Sequence, residues 1–291
     1  MWIRLFRAEW YKIMGNRWAT GCMIWIFPIL AVLFTAFMLF IVAVSSDARD
    51  GMSLEPALWT DIAIFPWIIL NNPLGLGLLL GFTAVLFAGE YQWNTWKSIV
   101  PRSQRVPLII VKFITVALFV VFAFTLMSIL LTLGWGLVSL VAGAPYGPSL
   151  DGEVLADFAE DYSLQMLSAF ISTIIAAGIA SLAAMVTRSI LGSVIFAIVI
   201  SIGETVLFLP LALLAWLLNI EEIMHIYRFI PFYNRINLMT YMYGDTPDGM
   251  EMPSGEMVVD SLLFSEVVLV GWVIILIALT AYLFNRQDIT N

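Results

Sequence analysis

Apolar residues occur along this chain in long runs that are separated by short polar segments. A helix that crosses a membrane needs about 20 mostly apolar residues. Six runs meet that requirement, over residues 18–44, 64–88, 106–141, 164–186, 190–209 and 261–284. The pattern therefore predicts an all-α polytopic membrane protein that forms a single transmembrane domain over residues 1–291.

Two of the runs are longer than one crossing. The third would be roughly 54 Å long at ~1.5 Å per residue, against a ~30 Å hydrocarbon core, so we expect it to tilt or to project from the bilayer. The fifth run continues to residue 218, but Pro210 lacks a backbone donor. We therefore expect the crossing to end at residue 209, with a separate short helix over 211–219 and an outer region over 211–260.

The distribution of charge predicts the orientation. With both termini inside, ten of the thirteen Lys and Arg residues lie on cytoplasmic segments, as the positive-inside rule requires. Sixteen of the 21 acidic residues then lie outside. The first apolar run, at 27 residues, is longer than the ~7–15 residues of a secretory signal. We therefore expect it to remain as the first span.

The segment before the first span, residues 1–17, has apolar residues at helical spacing with cations between them. Trp2, Phe6 and Trp10 belong to the apolar set, and Arg4 and Arg7 to the cationic set. This pattern is typical of an amphipathic helix in the cytoplasmic membrane interface. A solvated extension of the first span is the alternative.

Composition excludes several classes of protein. The chain is 62% hydrophobic and 12% charged, against ~25% charged in soluble domains. One cysteine and one histidine allow neither a disulfide nor a two-histidine metal site, and no lysine follows a glycine as a phosphate-binding loop requires. The net charge of -8 argues against nucleic acid as a partner. Motifs of membrane proteases and esterases are absent as well, so we expect neither an enzyme nor a cofactor bound by this chain.

Polar residues inside the spans are candidate pathway residues. Glu204 lies within the fifth span, where a carboxylate is costly and marks a functional site by default. A protonated or hydrogen-bonded packing role is the alternative. Asn71 and Asn72 interrupt the second span, and Gly77 and Gly81 follow at the Gly-x-x-x-Gly spacing that allows close helix approach, within the chain or in a dimer.

The sizeable cytoplasmic loop follows the second span. Its residues 90–100 can form a short helix that carries several aromatic side chains. Such a helix suits docking to a cytosolic partner, and it also suits an aromatic anchor at the membrane interface. The order of residues in this loop is Gly89-Glu90-Tyr91, then Asn94-Thr95-Trp96-Lys97, then Pro101-Arg102-Ser103, Arg105 and Lys112.

With this loop, its amphipathic start and its six predicted spans, the chain resembles the permease subunits of type-2 ABC exporters. The resemblance covers essentially the whole chain, and Gln104 between Ser103 and Arg105 is a departure from the family pattern. It implies a coupling helix over 90–100 that seats on a separate cytosolic ABC ATPase dimer, which would bind the ATP and Mg. The residues implied in ATPase coupling are Glu90, Tyr91, Trp93, Trp96, Lys97, Arg102 and Arg105.

The resemblance further implies a second permease subunit, identical or paralogous, and short re-entrant helices before the last span. Spans two and five would line the subunit interface, which places Asn71 and Glu204 near it. A multi-pass protein of the plasma (inner) membrane, in contact with lipid, would move a hydrophobic or amphipathic solute such as a peptide antibiotic, a drug or a lipid. A stand-alone ion-coupled carrier, or a membrane sensor without an ATPase, is the alternative.

Overall fold

A computed structural model describes residues 2–71, 73–99, 104–244 and 249–287. The amino-terminal elements are α1 (Trp2–Gly15), α2 (Arg17–Thr20), a π-helical turn (Gly21–Trp25), α3 (Ile26–Val44), α4 (Ser46–Leu54), β1 (Ala57–Leu58), α5 (Trp59–Asn71), α6 (Pro73–Gln92), α7 (Trp96–Ile99) and α8 (Arg105–Ala142). They are followed by β2 (Tyr146–Gly147), α9 (Gly152–Thr187), α10 (Ile190–Val206), α11 (Phe208–Leu218), a 3-10 helix (Glu221–Phe229), α12 (Pro231–Gly244), β3 (Met250–Glu251), β4 (Met257–Val258) and α13 (Leu262–Arg286).

Within these described ranges, five helices are long and apolar enough to cross a membrane: α3, α6, α8, α9 and α13. A sixth span results if α10 and α11, which meet at an angle of 48°, count as one broken crossing. The predicted all-α polytopic architecture is thereby confirmed. The orientation of the termini stays a prediction.

The fifth predicted crossing ends earlier than the sequence analysis expects. The break lies at Leu207, between α10 and α11, three residues before Pro210. Proline is tolerated in the first turn of a helix, where its missing N–H would have no intrahelical partner. Pro210 thus stands in the first turn of the next helix and does not end the preceding one.

The helix that contains the fourth predicted span, α9, begins well before residue 164 of the predicted range 164–186. It starts at Gly152, so most of the acidic segment ahead of the span is helical. Asp151 caps this helix by accepting a hydrogen bond from the N–H of Val154 at 2.9 Å. That bond, with one from Ser149, lowers the pKa of Asp151. Acidic residues are favoured at the positive end of the helix dipole, which a hydropathy window does not register.

The second predicted span, residues 64–88, is divided between two helices. The first of them, α5, ends at Asn71, and α6 begins at Pro73. At Gly75 an added Cβ would collide with the Ile69 carbonyl oxygen, so only glycine fits at this position. The interruption that Asn71 and Asn72 predict within the second span thus coincides with a boundary between two helices.

The chain divides into two compact units. One unit comprises residues 7–78 and 115–170. Here α3 lies along α8 through pairs of aromatic rings, with Phe34 stacked on Trp135 at 5.7 Å between ring centroids. Thr35 lies directly against Gly134, where a Cβ would leave no room for it. A cavity of about 630 Å³ between α3, α5 and α8 is lined by aliphatic and aromatic side chains.

The other unit comprises residues 1–6, 79–114 and 171–291. Its helices α9 and α13 approach closely at Gly178, where a Cβ would lie 2.7 Å from Cβ of Leu276. One turn along the same contact, the hydroxyls of Ser181 and Thr280 are hydrogen-bonded at 2.9 Å. Small and hydroxylated residues therefore set this contact, as is common between membrane helices.

Candidate functional site

The end of α6 is closed by a turn that local backbone hydrogen bonds hold in shape. Asn94 has φ of 55°, in the left-handed region that asparagine tolerates. The N–H of Asn94 donates to the Tyr91 carbonyl at 3.2 Å, and the N–H of Thr95 donates to the Glu90 carbonyl at 3.0 Å. These two bonds define a Schellman motif. The Asn94-Thr95 pair is thus explained by the need to stop α6 and to reverse the chain.

The same turn holds a buried ion pair. Glu90 accepts a hydrogen bond and an ionic contact from Nζ of Lys112 on α8 at 2.7 Å, and the side chains are only 3% and 2% exposed. The Thr95 hydroxyl donates to the second oxygen of the Glu90 carboxylate. Three residues of the motif, which lie up to 22 positions apart in sequence, thus form one polar cluster between α6, the turn and α8.

Aromatic rings enclose this cluster. Nζ of Lys112 lies 5.1 Å from the ring centroids of both Phe87 and Trp96, within the range of a cation–π contact. The buried indole of Trp96 packs on the ring of Phe284 near the end of α13, at 4.6 Å between centroids. The segment after α6 is therefore anchored to α13 as well as to α8.

Two further side chains hold the carboxyl end of α13. The hydroxyl of Tyr91 donates to the side-chain oxygen of Gln287 at 2.6 Å. Nη1 of Arg105 lies 2.8–3.0 Å from the backbone carbonyls of Phe284, Asn285 and Gln287. A cation at the last carbonyls of a helix is favoured both by hydrogen bonding and by the helix dipole.

The predicted coupling residues divide into two groups. One group makes internal contacts to α8 and α13 and consists of Glu90, Tyr91, Trp96 and Arg105. The other group is exposed and consists of Lys97 and of Trp93, whose exposed fraction is 56%. Arg102 lies outside the described residues. The predicted helix over 90–100 is not continuous, because α6 runs to Gln92 and a turn separates it from α7.

The Trp93 ring packs against the backbone of α6. A Cβ at Gly89 would lie 2.7 Å from Cζ3 of Trp93, so the indole rests against the bare backbone of α6 one turn earlier. The residue is therefore solvent-accessible on one face and supported on the other.

Glu204, the predicted pathway residue, is paired. Its Oε2 lies 3.3 Å from Nη2 of Arg235 on α12, and the two side chains are 11% and 6% exposed. The pair joins the end of α10, just before the bend, to α12. The Nε of Arg235 is buried without a hydrogen-bond partner among the described residues. Sequence reasoning missed Arg235, because its position in an amphipathic outer segment gave no signal of burial.

The other predicted pathway or interface residues lie around the α5–α6 break. Asn71 is the last residue of α5, and Asn72 lies outside the described residues. A Cβ at Gly77 would meet no atom within 4 Å, so contact within this chain does not require that glycine. Gly81 is buried one turn further along α6.

A second polar cluster, which the sequence analysis does not predict, centres on Asp260 just before α13. The guanidinium of Arg228 binds both carboxylate oxygens of Asp260, and this hydrogen bonding raises the pKa of Arg228. The Tyr233 hydroxyl also donates to Asp260, at 2.9 Å, and the Asn237 amide donates to the Asp260 backbone carbonyl at 3.1 Å. Burial, followed by the hydrogen bond to Asp260, raises the pKa of Tyr233. The cluster ties the 3-10 helix and α12 to the start of α13.

Comparison with known proteins adds no relative to this picture. No protein-family model matches the chain, and no curated protein matches it.

Proposed function

We propose that this chain is the transmembrane permease subunit of an ATP-driven exporter of the type-2 ABC class in the plasma membrane. In this proposal both termini are cytoplasmic, and α1 lies in the inner membrane interface. A separate cytosolic ATPase dimer binds ATP and Mg²⁺, and the chain itself catalyses no reaction. A second permease subunit completes the translocation unit.

The observation that carries the proposal is the exposure of Trp93 on the turn at the end of α6 and of Lys97 on α7 directly after it. The buried Glu90–Lys112 pair and the Trp96–Phe284 contact hold this turn in place. A large exposed aromatic residue beside a cation is typical of a protein-binding surface. A partner that pushes on this surface would move a rigid assembly instead of a loose loop.

Within one compact unit, a series of side-chain contacts connects this surface to the proposed intramembrane residues. Tyr91, Trp96 and Arg105 hold the carboxyl end of α13. At its other end, α13 is joined to α12 by a hydrogen bond from Asn237 to Ser265 at 2.9 Å. Since Arg235 on α12 pairs with Glu204 on α10, displacement of α13 would act on that intramembrane ion pair.

The proposed solute is hydrophobic or amphipathic, such as a peptide antibiotic, a drug or a lipid. The apolar cavity between α3, α5 and α8 and the small number of charges within the spans support this class. The bent α10–α11 pair, the 3-10 helix and α12 are proposed as the re-entrant outer segment before the last span. The open side of α6 at Gly77 is proposed to face the second permease subunit.

The test is affinity purification of the tagged full-length chain in mild detergent, with identification of the proteins that co-purify and measurement of ATP hydrolysis. Trp93→Ala removes an exposed ring and should abolish recovery of the ATPase without altering the yield of the chain. Trp216→Ala, at a 73% exposed tryptophan on α11, is the matched control and should retain the ATPase. Trp96→Ala is unsuitable, because this ring is buried and its removal creates a cavity.

Recovery of the chain without any ATPase would overturn the proposal in favour of an ion-coupled carrier or a sensor. Equal recovery of the ATPase with Trp93→Ala and the wild-type chain would keep the exporter class but remove this turn as its docking surface.

A further inference from the structure

The apolar cavity between α3, α5 and α8 opens on the side of the chain that faces the membrane. Two of these helices, α3 and α8, are long and apolar enough to cross a bilayer, and only 28% of the apolar stretch of α3 is buried within the chain. The side chains at the mouth of the cavity are about half exposed, with Leu33 at 58%, Phe65 at 50% and Leu30 at 48%. The cavity is therefore a groove whose mouth is in contact with lipid, because the bilayer core holds no water to cover it.

The groove is elongated along α8. Its wall on this helix extends from Met127 to Trp135, which is about 12 Å at ~1.5 Å per residue. Half of a ~30 Å hydrocarbon core is about 15 Å, which is the depth that the acyl chains of one leaflet fill. The volume of about 630 Å³ lies in the middle of the ~300–1,000 Å³ range of ligand sites. Length, direction and volume thus suit one extended chain that lies along α8.

Contacts at both ends of the groove keep it open. On α3, the ring of Phe27 packs on Phe124 of α8 at 4.6 Å between centroids, and two turns later Phe34 stacks on Trp135 at 5.7 Å. Behind the groove, the hydroxyl of Ser128 on α8 donates to a backbone carbonyl of α5 at 2.6 Å. The three helices are thus fixed to one another around the space between them. An occupant would enter a preformed site, which lowers the cost of ordering the protein on binding.

The chemistry of the lining selects hydrocarbon. None of the lining side chains is charged or hydroxylated, and the indole N–H of Trp135 is buried within the protein. A molecule with amides, hydroxyls or charges along its length would find no side-chain partner for them here, and an unpaired polar group in an apolar site is costly. A hydrocarbon chain has no such groups. The polar part of an amphipathic molecule would therefore remain outside the groove.

We propose that this groove is a binding site for one acyl chain of a membrane phospholipid, whose headgroup stays at the membrane surface. A helix of a second protein is about 10–12 Å in diameter and would lie across the mouth instead of entering, because α3 and α8 are in contact at both ends of the groove. The site depends on the membrane location of α3 and α8 and not on the exporter function. Recovery or loss of an ATPase therefore does not decide it.

The experiment is photo-crosslinking of the full-length chain in phosphatidylcholine nanodiscs. The probe is a phosphatidylcholine with a diazirine in one acyl chain, added at increasing mole fraction, and the modified peptides are identified by mass spectrometry. We expect adducts to concentrate in residues 30–34 and 127–135 and to saturate at a low fraction of probe. Contact with bulk lipid would instead rise in proportion to that fraction, so the two kinds of contact are distinguishable.

Leu30→Trp tests the groove by placing a larger side chain in it. This variant should lower the adduct yield in residues 127–135 by about tenfold, because a densely packed groove has no room for both the indole and an acyl chain. Leu33→Trp fills the groove from another position at its mouth and should act in the same way, so that a folding defect in one variant does not decide the outcome.

Leu133→Trp is the matched control, because Leu133 is 65% exposed on α8 at the depth of the groove but does not line it. It should retain the wild-type yield in residues 127–135. Adducts that rise in proportion to the probe along all exposed faces of α3 and α8 would overturn the proposal in favour of bulk lipid contact. The absence of adducts in the lining segments would also overturn it, as would an equal loss of yield in Leu30→Trp and Leu133→Trp.

Discussion

The buried pair of Glu90 and Lys112 permits a quantitative test of how the turn after α6 is held. Two unit charges at 2.7 Å attract each other by about 6 kcal/mol at an effective dielectric constant of about 20. Much of that attraction is offset by the cost of removing both groups from water. Loss of one partner is a different case, because the other charge then stays buried without it. We therefore expect Lys112→Met and Glu90→Gln each to lower the free energy of unfolding by about 3–5 kcal/mol.

The double variant Glu90→Gln/Lys112→Met should recover most of this loss. It leaves no isolated charge, the glutamine can still accept from Thr95, and the methionine keeps much of the stem that packs on Trp96. Replacement of a buried ion pair by neutral side chains of similar volume is often close to neutral in stability. Because the two single losses together are about 6–10 kcal/mol and the double variant loses only about 1 kcal/mol, the coupling between the two sites should be about 5–9 kcal/mol, far above the ~0.5 kcal/mol expected for independent sites.

The assay is thermal unfolding of the detergent-purified chain, followed by loss of the monodisperse peak in size-exclusion chromatography. At ~2–4 °C per kcal/mol, each single variant should lower the midpoint by about 6–20 °C and the double variant by much less. Lys97→Met, at an exposed lysine on α7, is the control and should be near wild type. Additive losses in the double variant would refute the reasoning, because they would show that the two charges do not depend on each other.

Two further predictions concern packing and ionisation elsewhere in the chain. Gly178→Ala should lower the unfolding midpoint, because the added methyl group overpacks against Leu276 at a cost of about 1–3 kcal/mol. Gly203→Ala is the control: its Cβ would meet no atom within 4 Å, so the midpoint should stay unchanged or rise. Equal effects of the two substitutions would contradict the α9–α13 contact. Tyr146 donates to the Thr132 carbonyl at 2.8 Å, and burial raises the pKa of Tyr146 from 10 to about 12. Because the fold favours the protonated phenol, the contribution of Tyr146 to the free energy of unfolding is complete below pH 10 and is lost as the pH rises to about 12. Tyr146→Phe should therefore reduce the loss of stability across that pH range. An unchanged dependence of stability on pH would contradict this prediction.

The membrane helices were predictable because burial in lipid imposes a composition that hydropathy registers directly. Their ends were less so. The start of α9 at Gly152 depends on a cap at Asp151 and on the helix dipole, and the α10–α11 break depends on where Pro210 fits within a helical turn. One is a local capping bond and the other a backbone constraint of proline, and neither changes the average hydropathy over a window of residues.

The candidate site was predicted in part. The motif drew attention to Glu90, but its role changes once Lys112 is found beside it, 22 positions later. The Asp260 cluster gave no signal, because Arg228 and Asp260 are 32 positions apart on segments that have no shared periodicity. Contacts of this kind depend on how helices pack, and a single sequence contains no local pattern that specifies them.

The Schellman turn at Asn94 has a consequence for how the proposed docking surface would bind. Its backbone is closed by the bonds of Asn94 to Tyr91 and of Thr95 to Glu90, and the Trp93 ring rests on Gly89. The loss of conformational entropy is therefore incurred when the chain folds, so little ordering of this backbone is needed at the moment of association. A partner would meet a surface that already has its bound shape, and complex formation would proceed as a single encounter step without a subsequent slow rearrangement of this turn.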